Sequence, residues 1–392
     1  MHITRIKHLL IKIAKSVKKP YLYLKLKIKK QLGWLGVPKI VAYRGYGNEN
    51  LAYIRGIVIE DKGLEKPDIN QSVWKNLLTM IKRYAGDEFP DEKVIISFNG
   101  QDKEVITDED GQFNIIFPVK NYTPDRNIRW ERASFLLDAH THTETRVKDI
   151  GEVLFTGENT EYGIISDVDD TFLVTHSTTT VRKLRLMLLK NARTRSPFSG
   201  VSGFYQALHE GNNQGNNNPL FYVSSSEWNL YDLLTDFSEI HGIPKGPFLL
   251  REFHTSLYNL IRSGRGNHEH KIEKISTILA IYSHLKFILI GDSGQHDPEI
   301  YTEVVRQNPG RILSIYIRDV GSRKKEKKVK AIIQQLREQD IDMVLVKDTI
   351  EAAMHAVSKG YIPPSAMKKI TTEKEIDERI PTDLEQLTKK NN

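Results

Sequence analysis

The chain has 392 residues, 39% of them hydrophobic and 27% charged, the make-up of a soluble protein long enough for two domains. It has no cysteine, which excludes disulfides and thiolate metal sites and leaves the compartment open. Net charge is +7 and unevenly spread, and no apolar run reaches the ~18 residues of a membrane-spanning helix.

Residues 1–37 read as a basic amphipathic arm. Residues 1–33 hold one Arg, nine Lys and no acid. Ile3, Ile6, Leu9, Leu10, Ile13 and Val17 recur at helical spacing, with Lys7, Lys12 and Lys15 between them. After Pro20, Leu22, Leu24, Leu26 and Ile28 alternate with Tyr23, Lys25, Lys27 and Lys29. The run is too charged for a signal peptide. It fits an anionic membrane surface; a solvated arm, or a helix docked on the body, are the alternatives. Nucleic acid is not expected, because aromatics are few and no base-reading module follows.

Residues 38–155 read as β-rich. Val94–Phe98, Asn99-Gly100 and Lys103–Thr107 form a hairpin pattern. Gln112–Phe117, Ile128–Arg132 and Ala133–Leu137 read as further strands, and Val73–Tyr84 as an inserted helix. Short strands with regular turn signals suggest a small sandwich. His140 and His142 share a strand face, but no third ligand is near, so they read as surface histidines.

From about residue 160 to 362 the pattern becomes strand–helix alternation. Apolar runs at Leu220–Val223, Phe287–Ile290, Ile312–Ile317 and Met343–Val346 alternate with helical patterns at Asn229–Ile240, Glu269–Tyr282, Pro298–Gln307, Val329–Gln339 and Thr349–Lys359. This predicts an α/β domain with a doubly wound parallel sheet. Thr171–His209 reads as a basic insertion carrying Arg182 and Arg185, a second candidate for anion or membrane contact. Residues 363–392 are charged with little apolar periodicity and read as a mobile tail.

Four signals carry chemistry. The run Tyr162–Ser166 ends in Asp167-Val-Asp169-Asp170-Thr171. Strand alternation puts Asp167 and Asp169 on one side, about 7 Å apart if extended. That suits a nucleophile and an acid/base on either side of one phosphorus; a turn capping the next helix is the other reading. Tyr222-Val-Ser224 ends the next strand in a hydroxyl, an anion contact or a helix N-cap. Lys271 starts an amphipathic helix, and Gly291-Asp292-Ser-Gly-Gln-His-Asp297 again sets acids past a strand end.

This order, acid pair, hydroxyl, lysine, acid pair, resembles the haloacid dehalogenase superfamily of phosphohydrolases. Asp-Val-Asp-Asp-Thr, Tyr222-Val-Ser-Ser-Ser-Glu-Trp-Asn-Leu-Tyr231, Gly291–Tyr301 and the late Ala352-Ala-Met-His-Ala-Val-Ser-Lys-Gly360 are similar to the actin-patch-associated phosphatidate phosphatases of fungi and their bacterial relatives. The fungal type commonly has Asn-Pro or Ser-Pro where this chain has Ser225–Trp228, and the basic arm lies outside the family pattern. The resemblance implies Asp167 as nucleophile and Asp169 as acid/base. It implies Mg²⁺ held by Asp167, Asp292 and the Asp169 carbonyl, with Asp297 orienting that shell. Ser224 and Lys271 would hold phosphoryl oxygens, while Asp170 and Thr171 position the loop. Arg251 and His254 are weaker candidates for a head group. The expected activity is hydrolysis of phosphatidate at a membrane surface by a cytoplasmic protein, free or peripheral. A phosphatase for a soluble phosphomonoester, or a non-catalytic interaction module, are the alternatives.

Overall fold

The structure, a computed structural model, describes residues 20–61, 63, 86–138, 146–168, 199–251 and 266–379, apart from residues 21, 121, 213, 214 and 216. Lys7, Lys12, Lys15, the Val73–Tyr84 helix, His140, His142, Asp169, Asp170, Thr171, Arg182, Arg185 and His254 lie outside the described residues, as does the side chain of Arg251.

The first half forms one seven-stranded sheet from β1 (Pro38–Gly47), β2 (Leu51–Glu60), β3 (Lys93–Phe98), β4 (Gln101–Ile106), β5 (Gln112–Pro118), β6 (Arg129–Leu137) and β7 (Val147–Phe155). The order is β4-β3-β6-β7-β1-β2-β5. The pairings are antiparallel except β1 with β7. Asn99 and Gly100 both take positive φ, 49° and 68°, as a two-residue hairpin turn requires. The expected sandwich is instead a single curled sheet. Its edge strands are bridged by side chains: Gln101 Nε2 donates to the Pro118 carbonyl at 2.9 Å and Lys103 Nζ to that of Ile116 at 3.0 Å. Phe98, Phe113, Phe117, Phe135 and Phe155 fill the space it encloses.

Residues 22–31 form a helix, α1. Leu22 and Leu26, one turn apart, are buried against the body. Lys29 Nζ lies 2.9 Å from Glu60 and 2.7 Å from Asp87, and Lys25 also pairs with Asp87. Of the readings open for the arm, a docked helix holds for these residues.

The second half is a six-stranded sheet of β8 (Gly163–Asp167), β9 (Leu220–Glu227), β10 (Phe248–Arg251), β11 (Phe287–Asp292), β12 (Ile312–Arg318) and β13 (Asp342–Val346). All pairings are parallel, in the order β10-β9-β8-β11-β12-β13. The helices are α2 (Val201–Glu210), α3 (Tyr231–Ile240), α4 (Gly266–Ile281), α5 (Asp297–Gln307), α6 (Arg323–Arg337), α7 (Thr349–Ser358) and α8 (Ala366–Arg379). Strand alternation sends Ile164, Tyr222 and Ile288 into one core with residues of α2, α3, α7 and α8. It sends Ile165, Phe221 and Leu289 into another with residues of α4, α5 and α6. The chain starts at β8, fills one side, then crosses back to fill the other. Its direction therefore switches between β8 and β11, where such sheets open a crevice at their carboxyl ends.

The two halves share core. Tyr43 packs on Tyr231 with ring centroids 4.7 Å apart, Tyr46 contacts Phe221 and Tyr282, and Asn48 Nδ2 donates to the Ile281 carbonyl at 2.6 Å.

A further expectation is corrected. Residues 366–379, read as part of a mobile tail, form α8 against α2. Ile370 is buried there, Lys374 pairs with Asp348 at 2.7 Å, and Asp377 accepts from the Gly200 N–H at 2.8 Å. Ile370, with Ala366 and Met367 packed beside the same core, and these polar contacts seat a helix rich in charge. Ile370→Ala should therefore cost about 2–4 kcal/mol in urea denaturation; an unchanged midpoint would show that α8 adds no stability.

Under α1, burial first and then the neighbouring Asp91 raise the Glu92 carboxyl from 4.5 to about 7, against the pull of Lys30. A raised carboxyl favours folding while protonated, so its contribution is present below about 4.5 and lost as pH rises through about 7. The stability difference between Glu92→Gln and wild type should thus grow in favour of the variant from about pH 4.5 to 7 and then level off. A difference that stays flat across that window in denaturation curves would refute the assignment.

Candidate active site

The carboxyl ends of β8 and β11 are adjacent and deliver Asp167 and Asp292 to the crevice. Both acids are fully buried, as is Asp297, the first residue of α5. A helix N-terminus favours a negative charge there. One carboxylate oxygen from each of Asp167, Asp292 and Asp297 lies within 4.8 Å of the others.

Lys271 meets them from α4. Lys271, Ile275, Ile278 and Tyr282 are buried at spacings of four, three and four, so the lysine continues the helix's apolar stripe into the crevice. Its Nζ lies 2.7 Å from Asp167 Oδ1 and 2.5 Å from Asp297 Oδ1. Burial opposes its charge, but Asp167 and Asp297 outweigh burial and hold the ammonium well above the ordinary lysine range.

The second Asp297 oxygen, Oδ2, accepts from the Asp292 N–H at 3.1 Å, tying α5 to the end of β11. This requires a glycine beside it: a Cβ on Gly291 would stand 2.5 Å from Asp297 Oδ2 and 2.8 Å from its Cβ. Asp292 Oδ1 accepts from the N–H groups of Gly294 and, at 3.0 Å, Gln295, which fixes its rotamer.

Ser224 is buried one residue past Val223, the register partner of Asp167. The helix N-cap reading does not hold. Strand β9 continues to Glu227, a short 3₁₀ turn follows, and α3 starts at Tyr231 with Leu230 as its cap. The Ser224 hydroxyl instead accepts from the Ser226 N–H at 2.8 Å.

The structure thus brings Asp167, Lys271, Asp292 and Asp297 into one cluster and sets Ser224 on the neighbouring strand. Two further elements were not singled out from sequence. Ser166 Oγ donates to the Asp167 carbonyl at 2.8 Å and lies 2.6 Å from the Tyr205 hydroxyl, bracing the strand end. Lys274 Nζ, one turn beyond Lys271, donates to the Ser224 carbonyl at 3.2 Å. The available signal was a polar Ser166 inside a buried apolar strand and a second lysine on the same helix face.

Three buried acids face one lysine. Their oxygens are hard donors that converge within 4.8 Å, so the residues fit a hard divalent cation such as Mg²⁺.

Residues 162–319 match the family model described as the catalytic domain of phosphatidate phosphatase APP1. All four clustered residues and Ser224 fall within that match. The chain is 35% identical over 156 residues to phosphatidate phosphatase APP1 of Saccharomyces cerevisiae, covering 40% of this chain and 25% of that protein. It is 27% identical over 317 residues to an uncharacterized protein of Schizosaccharomyces pombe, covering 80% of this chain and 48% of that one. The chain therefore spans half or less of these relatives. A carbohydrate acetylesterase from Xanthomonas citri is similar in structure only at a TM-score of 0.25 and 11% identity, over 79% of this chain and 68% of that one.

Removing the ammonium leaves buried carboxylates facing one another. Lys271→Met should destabilise the protein by about 3–5 kcal/mol in denaturant titrations without added divalent ions. A loss within about 0.5 kcal/mol, the range of surface substitutions, would contradict the charge arrangement.

Proposed function

We propose that this protein is a Mg²⁺-dependent phosphatase of the haloacid dehalogenase type that hydrolyses phosphatidate to diacylglycerol and phosphate at a membrane surface. The observation that carries the reading is the meeting of Asp167 with Lys271, Asp292 and Asp297 at the switch point of a parallel sheet. The matched catalytic segment and the name of the budding-yeast relative support the substrate.

An Asp167 oxygen attacks phosphorus, and the bond from phosphorus to the diacylglycerol oxygen breaks, leaving an aspartyl-phosphate. Asp169 gives its proton to that leaving oxygen. Asp169 then takes a proton from water, whose oxygen attacks phosphorus and frees Asp167 and inorganic phosphate. Lys271 keeps Asp167 ionised and donates to the phosphoryl oxygens, with the Ser224 hydroxyl as a second donor. Asp167 and Asp292, with the Asp169 carbonyl, would hold Mg²⁺, whose charge there offsets that of the phosphoryl oxygens. Asp297 holds Lys271 and the Asp292 backbone in place. The family resemblance gives Asp170 and Thr171 a supporting role beside Asp169.

The test is phosphate release from phosphatidate in mixed micelles and from a soluble aryl phosphate, with Mg²⁺ or with chelator. Release from phosphatidate should require Mg²⁺ and fall by about three orders of magnitude or more in Asp167→Asn. Release from the aryl phosphate alone would keep the chemistry and remove the lipid. Full activity in Asp167→Asn would remove the nucleophile assignment, and no release from either substrate would favour a binding module.

A further inference from the structure

A surface helix of a soluble domain turns one apolar stripe inward and a polar face outward. Helix α1 carries two apolar stripes on opposite sides. Leu22 and Leu26 form the inner one, 6% and 0% exposed. Leu24 and Ile28 form the outer one, 58% and 45% exposed. The Leu32 N–H still donates to the Ile28 carbonyl, so Leu32 extends the outer stripe by a turn, and Trp34 stands just beyond. These two are 51% and 69% exposed.

The charges around the helix are sorted in the same way. Lys25 and Lys29 lean on Glu60 and Asp87, whose carboxylates are nearly buried beneath the helix. Lys27 is exposed and lies beside the outer stripe. No acid occurs between residue 1 and Glu49, so none on this segment offsets it. Leucine, isoleucine and tryptophan bordered by a lysine form the pattern of an interfacial helix face. A second copy of the same face would set lysine against lysine, whereas an anionic surface complements it.

We propose that Leu24, Ile28, Leu32 and Trp34 seat this chain on an anionic bilayer, with Lys27 on the head groups. The pairing of Lys25 and Lys29 with Glu60 and Asp87 clamps the seated helix to the body, so that docking fixes how the whole molecule lies on the surface. This deepens the lipid reading above and is tested apart from it.

The test is flotation of the full chain with vesicles of phosphatidylcholine containing about 30% phosphatidylserine. Phosphatidylserine is not a phosphomonoester, so it does not report on the proposed active site. The triple variant Leu24→Ser, Ile28→Ser, Trp34→Ser should bind about tenfold more weakly than wild type or worse. Lys27→Glu should also weaken binding, most at low salt. All these positions are exposed, and hydrolysis of a soluble aryl phosphate should be unchanged. Equal binding by wild type and triple variant, or no binding by wild type, would overturn the proposal. So would a wild-type dimer in light scattering that the triple variant converts to monomer, which would make the face a self-contact. Vesicle binding decides the matter even if no phosphate is released from any substrate.

Discussion

Three carboxylates from different elements are buried together at the carboxyl ends of β8 and β11, and the arrangement depends on the Lys271 ammonium between two of them. Acids buried this close repel, and each pays to leave water. The lysine offsets part of that cost and so makes the positions of β8, α4 and α5 mutually dependent. Gly291 completes the arrangement by leaving room for Asp297 against the strand, where it also accepts from the Asp292 backbone. A site of this kind is organised before substrate arrives, which is what transfer of a charged phosphoryl group requires.

The parallel sheet supplies the place. Its strands add on one side of β8 and then on the other, so two strand ends diverge from a shared crevice. Helices pack on both faces of the sheet. The curled antiparallel sheet packs its tyrosines against this body through Tyr43 and Tyr46 and leaves the crevice to the second half of the chain. Chemistry is thus concentrated on one sheet, and the proposed surface contact on a helix that docks on the other.

Much of this was legible in local pattern. An apolar run that ends abruptly in an acid announces a buried strand delivering charge, and Asp167 and Asp292 were found that way. Other features resisted. Ser224 allowed a helix cap as well as an anion contact because three serines precede a helical pattern, but β9 stays extended through pairing with β10 as far as Glu227, which removes the cap. Residues 22–28 satisfy both a twofold alternation and a helical repeat, and docking of Leu22 and Leu26 decided between them. The charged run after residue 363 looked unstructured because a single buried isoleucine, Ile370, leaves little periodic trace.

Strand ends, the order of the chemical groups along the chain and the alternation of strand and helix are written in the residues themselves. These follow from local periodicity and from the placement of acids after apolar runs. It took the packed fold to set β8 beside β11, to bridge Asp167 and Asp297 with Lys271, and to turn an apolar stripe of α1 to the outside. The reason is that strand order and ion pairing join residues far apart in the chain. No local preference encodes them, and they emerge when buried surface and compensated charge are satisfied together.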